Sequence, residues 1–165
     1  MTKNKAVFSK DMENKKLNVV RSFDAPLEQV WKAWTTAEIL DLWWAPKPYK
    51  AETGKMDFRE GGQWLYGMVS PEGEKNWCRV DYKTIELNKS ITTVVMFCDE
   101  QGHENQDFPK MHWKKEFSQT NEGTTVNIEI TFDQEADMEM ILKMGFQEGF
   151  TAGLDNLDEF LENAD

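Results

Sequence analysis

Cysteine, histidine and positive charge are all scarce in this chain, and each scarcity removes a class of explanation. The two cysteines, Cys78 and Cys98, lack CxxC spacing, so they read as small buried hydrophobes rather than a disulfide scaffold or a redox pair. The two histidines, His103 and His112, have no cysteine at ligand spacing, so no metal site and no cofactor are expected. No Walker, GxGxxG, GxSxG or HExxH string occurs. Nineteen basic against 30 acidic residues leave a net charge of −11, which repels a phosphate backbone and makes nucleic acid a poor partner. The longest apolar run, Val94 to Cys98, is about five residues against the roughly 20 that a membrane span requires. Met1 to Lys16 holds no hydrophobic segment of the secretory kind, so a cytoplasmic location is the expectation.

What the chain has in quantity is aromatic and sulfur-bearing bulk: 7 Trp, 10 Phe and 9 Met in 165 residues, enough for the core of one domain. A flexible tail is expected over residues 1–15, with Val7, Phe8 and Met12 able to dock as a short turn, and a single domain over 16–165. Leu17, Val19, Arg21 and Phe23 share one parity and predict a strand with one buried face. Asp24-Ala25-Pro26 then predicts a helix start, and Leu27, Val30, Trp31 and Trp34 recur at helical spacing. A second short helix is expected from about 37 to 43. Six strands follow, near 49–57, 62–70, 77–86, 90–98, 111–120 and 124–132, in runs of β-branched and aromatic residues broken by Gly and Pro turns. From Asp137 to Asn163 one long helix is predicted, its stripe running from Met138 through Gly145, Gly149 and Gly153 to Leu161, with the acidic face in solvent. The fold class is α+β: a curved antiparallel sheet of about seven strands covered by a C-terminal helix.

Several strings resemble one known family. Arg21-x-Phe23-x-Ala25-Pro26, Val30-Trp31-x-Ala33-Trp34-Thr35 and Leu42-Trp43-Trp44-x-Pro46 are similar to its opening strand, helix and tryptophan-rich connector. Asp57-x-Arg59-x-Gly61-Gly62-x-Trp64, with Met68 and Pro71-Glu72-Gly73, is similar to its central hairpin, and Gly149 with Leu154, Leu157 and Leu161 to its terminal helix. The pattern is that of the START-like, or helix-grip, superfamily, and within it of the homologues of the activator of the heat-shock-protein-90 ATPase. It departs from the family at Leu87-Asn88-Lys89 and in the charged insert Gly102 to Asp107. The resemblance implies a sheet gripping the long helix around a cavity that admits apolar or amphipathic small molecules. It implies no single chemistry.

Strand alternation puts Trp64, Tyr66 and Met68 on one face, Tyr82 with Cys78 and Val80, and Phe117 with Trp113 and Met111. With Phe146, Gly149 and Phe150 from the helix, Trp64, Tyr66, Met68, Tyr82, Trp113 and Phe117 are the candidate ligand-binding residues. A core filled by these same rings is the competing reading. Tyr82 and Ile85 cannot share a face in a regular strand, which predicts a bulge between them. Lys115 shares the parity of Trp113, so it either meets an anionic ligand group or sends its head to water at the cavity mouth. Arg79 with Asp81, and Arg59 with Asp57, read as structural ion pairs. No catalytic residue is assigned, since His103 lies in a polar loop and the parity of His112 points it outward. The expected partner is therefore a small hydrophobic or amphipathic molecule bound without catalysis, by a monomer or homodimer. The alternatives are a chaperone partner, whose ATPase the module would modulate, and a cyclase- or hydrolase-type enzyme using Tyr66 and Tyr82.

Overall fold

The computed structural model describes residues 5–163. Twelve elements follow in the order β1 (Val7–Asp11), β2 (Lys16–Phe23), α1 (Leu27–Thr35), α2 (Ala37–Trp43), β3 (Lys50–Met56), β4 (Gln63–Val69), β5 (Lys75–Glu86), β6 (Ser90–Cys98), β7 (Met111–Gln119), β8 (Thr124–Thr131), α3 (Glu135–Lys143) and α4 (Phe146–Asn163). The eight strands form one antiparallel sheet in the order β1-β2-β8-β7-β6-β5-β4-β3. Helices with a single antiparallel sheet make this the α+β class that the strand and helix periods predict and the helix-grip architecture that the resemblance implies.

Alternation sets the sheet's inner face. β2 buries Leu17, Val19, Arg21 and Phe23 while Asn18, Val20 and Ser22 stay half-buried, and β8 buries Val126, Ile128 and Ile130 in the same rhythm. The expected bulge is present, as the β5–β6 register shifts between Tyr82 and Thr84. Arg59 and Asp57 form their ion pair at 2.9 Å, and so do Arg79 and Asp81.

Two expectations are corrected. Residues 7–11 are not a flexible tail: they form β1, paired with β2 from Val7 opposite Val20 to Asp11 opposite Lys16. Four of the five β1 residues are exposed, so the strand carries almost no apolar period and is held by backbone hydrogen bonds to the edge of β2. The first four residues of that expected tail lie outside the described residues. Nor is 137–163 one helix, because Gly145 adopts φ +89, a left-handed conformation that ends α3 before α4 begins. Gly153 answers to a different demand. A Cβ there would sit 3.0 Å from the Trp44 carbonyl oxygen, so the absence of a side chain lets α4 approach the end of α2 closely. Asn156 Nδ2 donates to the Ala45 carbonyl at 3.0 Å and secures the same junction.

α4 buries Phe150, Gly153, Leu154, Leu157 and Leu161 against the sheet, but its acidic face is not wholly solvated. Arg21 is fully buried and donates from Nη1 to Asp155 Oδ1 at 2.8 Å, with Nη2 3.6 Å from Asp158 Oδ2 and its guanidinium over the Phe23 ring. Burial raises the Asp158 carboxyl above its usual range, although Arg21 pulls the other way. This pair positions α4 on β2 more than it stabilises the fold, because desolvation offsets most of the attraction. Removing only the cation is a different matter. R21M should destabilise the protein by about 3–5 kcal/mol, the usual cost of stranding a buried partner, and adding D158N should recover much of that loss. Urea titration of the single and double variants at neutral pH reads both.

Candidate ligand-binding site

Between α4 and the concave face lies a cavity of about 390 Å³, within the size range of small-molecule pockets. Its floor comes from four neighbouring strands: Tyr66 and Met68 on β4, Cys78 on β5, Val95 with Met96 and Phe97 on β6, and Met111 and Trp113 on β7. Its roof is Phe146, Gly149 and Phe150 of α4, with Ile141 of α3. Trp44 and Pro46, from the connector after α2, close one side. Tyr49 and Met144 also line it and are about half exposed, at 41% and 51%, so they mark the mouth, beside the α3–α4 break. No charged side chain is in the lining.

Six of the nine expected residues therefore share the cavity wall: Tyr66, Met68, Trp113, Phe146, Gly149 and Phe150. Three do not. Trp64 stacks on Tyr66 at 4.3 Å between centroids and donates from Nε1 to Thr53 Oγ1 at 3.0 Å, behind the wall. Tyr82 packs edge-on against Phe58 at 5.0 Å, its hydroxyl directed to Met56 Sδ. Phe117 is wedged between Trp31, at 5.0 Å, and Trp34, at 6.0 Å. The reason is volume. α1 presents two tryptophans to the part of the sheet that Phe117 faces, and each close aromatic pair there adds about 0.5–1.5 kcal/mol beyond its burial. The filled-core reading is thus right for that end of the grip and wrong for the other.

Trp44 is one wall residue that strand alternation did not single out, because it lies just past the end of α2 where no period applies. Its ring approaches those of Trp34, Trp43, Trp64, Tyr66, Trp113 and Phe150. Its Nε1 donates to the Tyr66 hydroxyl at 2.9 Å. The tryptophan-rich string was its only signal.

The polar chemistry of the wall is subdued. Burial holds the Tyr66 hydroxyl far above its ordinary pKa and pushes the Cys78 thiol up to about 12, so both stay protonated at neutral pH. Each can donate or accept a hydrogen bond there. Tyr82, the other tyrosine proposed for an enzymatic role, is outside the cavity. The histidines lie elsewhere, His103 beside Asp99 and His112 beside Asp133, each pair at 3.1 Å. No group of three or more metal-ligating side chains occurs among the described residues.

Lys115 lies on the inner face of β7, as its parity predicts. It is 6% exposed and is not part of the cavity lining. Nζ lies over the rings of Trp34, at 5.5 Å, and Trp113, at 5.7 Å, and no carboxylate pairs with it among the described residues. Cation–π contact compensates part of its desolvation.

The family of the activator of Hsp90 ATPase homolog 1-like protein matches residues 24–162. The chain belongs to that family. Solved structures agree with the assignment. A protein from Arthrobacter aurescens is similar at 27% identity and a TM-score of 0.90, over 96% of this chain and 92% of its own. The fold is shared with Ms6760 from Mycobacterium smegmatis, at 24% identity and a TM-score of 0.88 over 97% and 99% of the two chains. A Staphylococcus epidermidis protein shares it too, at 23% and 0.82 over 94% and 93%. Among curated proteins nothing matches the chain. No helix among the described residues is long and apolar enough to cross a membrane.

Family members share the grip, so the buried lysine is a property to test on this chain. Desolvation lowers the Lys115 ammonium from 10.5 to about 8. Between those values the unfolded chain binds the proton and the folded one does not, so this residue's penalty is full below about 8 and fades as pH rises towards 10.5. K115M should therefore stabilise the protein by about 1–3 kcal/mol at neutral pH. The gain over the unsubstituted chain should shrink steadily across that window, as read by urea midpoints at a series of pH values.

Proposed function

We propose that this protein binds a small hydrophobic or amphipathic molecule in the cavity under α4, without chemical transformation. The observation that carries the reading is a 390 Å³ space walled by aromatic and methionine side chains, with no charged group in its lining, left open in a core whose other half is packed with rings. Interiors are otherwise close-packed, and an unfilled volume of this size forfeits dispersion contacts that a bound molecule restores. The protonated Tyr66 hydroxyl and Cys78 thiol supply a weak polar mark on one wall, suited to orienting a ligand. The exposed Tyr49 and Met144 at the mouth supply a flexible entrance beside the helix break.

Gly149 supplies the test. A Cβ there meets only Pro46 Cγ, at 3.8 Å, so alanine fits while a longer side chain must enter the cavity. Titration calorimetry with decanol should give saturable binding to the unsubstituted protein and to G149A. G149L should weaken it by at least about tenfold. Stability should not fall in either variant, since leaving glycine gains up to about 1 kcal/mol of helix propensity. Failure of decanol and comparable apolar probes to bind, or binding undiminished in G149L, overturns the reading.

A further inference from the structure

Beside Trp113 the interior holds buried side-chain donors that lack partners among the described residues. Trp34 Nε1, Trp113 Nε1 and Thr93 Oγ1 are buried and have no hydrogen-bond partner among the described residues. The Lys115 ammonium lies over the rings of those same two tryptophans. Thr93 sits directly opposite Trp113 in the β6–β7 register, and Ile91 opposite Lys115, so threonine and lysine project from adjacent rows of one face. Indole N–H groups and an ammonium can only donate, and a hydroxyl can do so. Such a set is ordinarily matched by an acceptor, and with a cation among them by an anionic one.

We propose that this cluster is a carboxylate seat, and that the molecule held in the cavity is an acid whose apolar body lies under α4 and whose anionic end reaches Lys115. The proposal deepens the cavity reading and rests on it. Trp113 lies between the cavity and the cluster, since it lines the cavity and its ring stands 5.7 Å from the Lys115 ammonium. The Trp44 and Trp113 rings pack against each other between cavity and cluster, 6.0 Å between centroids and tilted by 43°, so the Trp113 ring must turn to admit the anionic end. The cavity walls carry no charge of their own, and the other fully buried cation, Arg21, is already engaged by Asp155 and Asp158. Lys115 is therefore the one interior cation beside the cavity, among the described residues, that a bound anion would neutralise. Thr93 and the two indoles have hydrogen bonds to give the same group.

Decanoate and decanol separate the seat from the cavity, because they share a body and differ at the head. Calorimetry at neutral pH should find decanoate bound at least about tenfold more tightly than decanol by the unsubstituted protein, the return expected from one charge-assisted hydrogen bond. K115M, which is expected to fold with higher stability, should bring the ratio of the two affinities close to one. Should decanol bind as well as decanoate, or should K115M leave the preference intact, the carboxylate seat is wrong and the apolar cavity stands. Should neither bind, the cavity reading falls and the seat falls with it.

Discussion

One helix cannot cover the inner face of an eight-stranded sheet, and the rest of this structure follows from how that deficit is met. α4 is anchored on β2 by the buried Arg21 and its two aspartates, and beside α2 by Gly153 and Asn156. With the helix so fixed, the concave face has one end that α1 reaches and another that it does not. Trp31 and Trp34 fill the first against Phe117. At the second the filling stops at Trp44 and Trp113, and the space beyond is the cavity.

Those two tryptophans divide an interior of two characters. On the cavity side the walls are neutral, with a phenol and a thiol held protonated by burial. On the other side sits a lysine whose burial is compensated only by ring faces, amid indole and hydroxyl groups that lack partners. Apolar packing explains the first side completely. It does not explain the second, because a methionine at 115 would pack there without the desolvation penalty.

Most of the wall was legible because strand parity is a local rule. Tyr66, Met68 and Trp113 follow from alternation about a recognised strand, and Phe146, Gly149 and Phe150 from helical spacing. The same rule assigned Trp64, Tyr82 and Phe117 to the inner face, as it should, but facing inward is not the same as facing the cavity. Which inward residues border open space depends on what lies opposite them: Phe58 meets Tyr82, α1 meets Phe117, and Tyr66 itself screens Trp64. β1 was missed because an exposed edge strand needs backbone pairing but little apolar period. The helix break at Gly145 was missed because the apolar stripe continues across it.

From β2 to β8 the order of strands and helices and the inner face of each strand were written into the sequence, because periods of two and of nearly four residues express contacts made within one element. The family was legible in its local strings. The position and emptiness of the cavity, the division at Trp44 and Trp113, and the isolation of Lys115 were decided by the tertiary structure. They depend on side chains from elements far apart in the chain competing for one volume, and no local period records which of them wins.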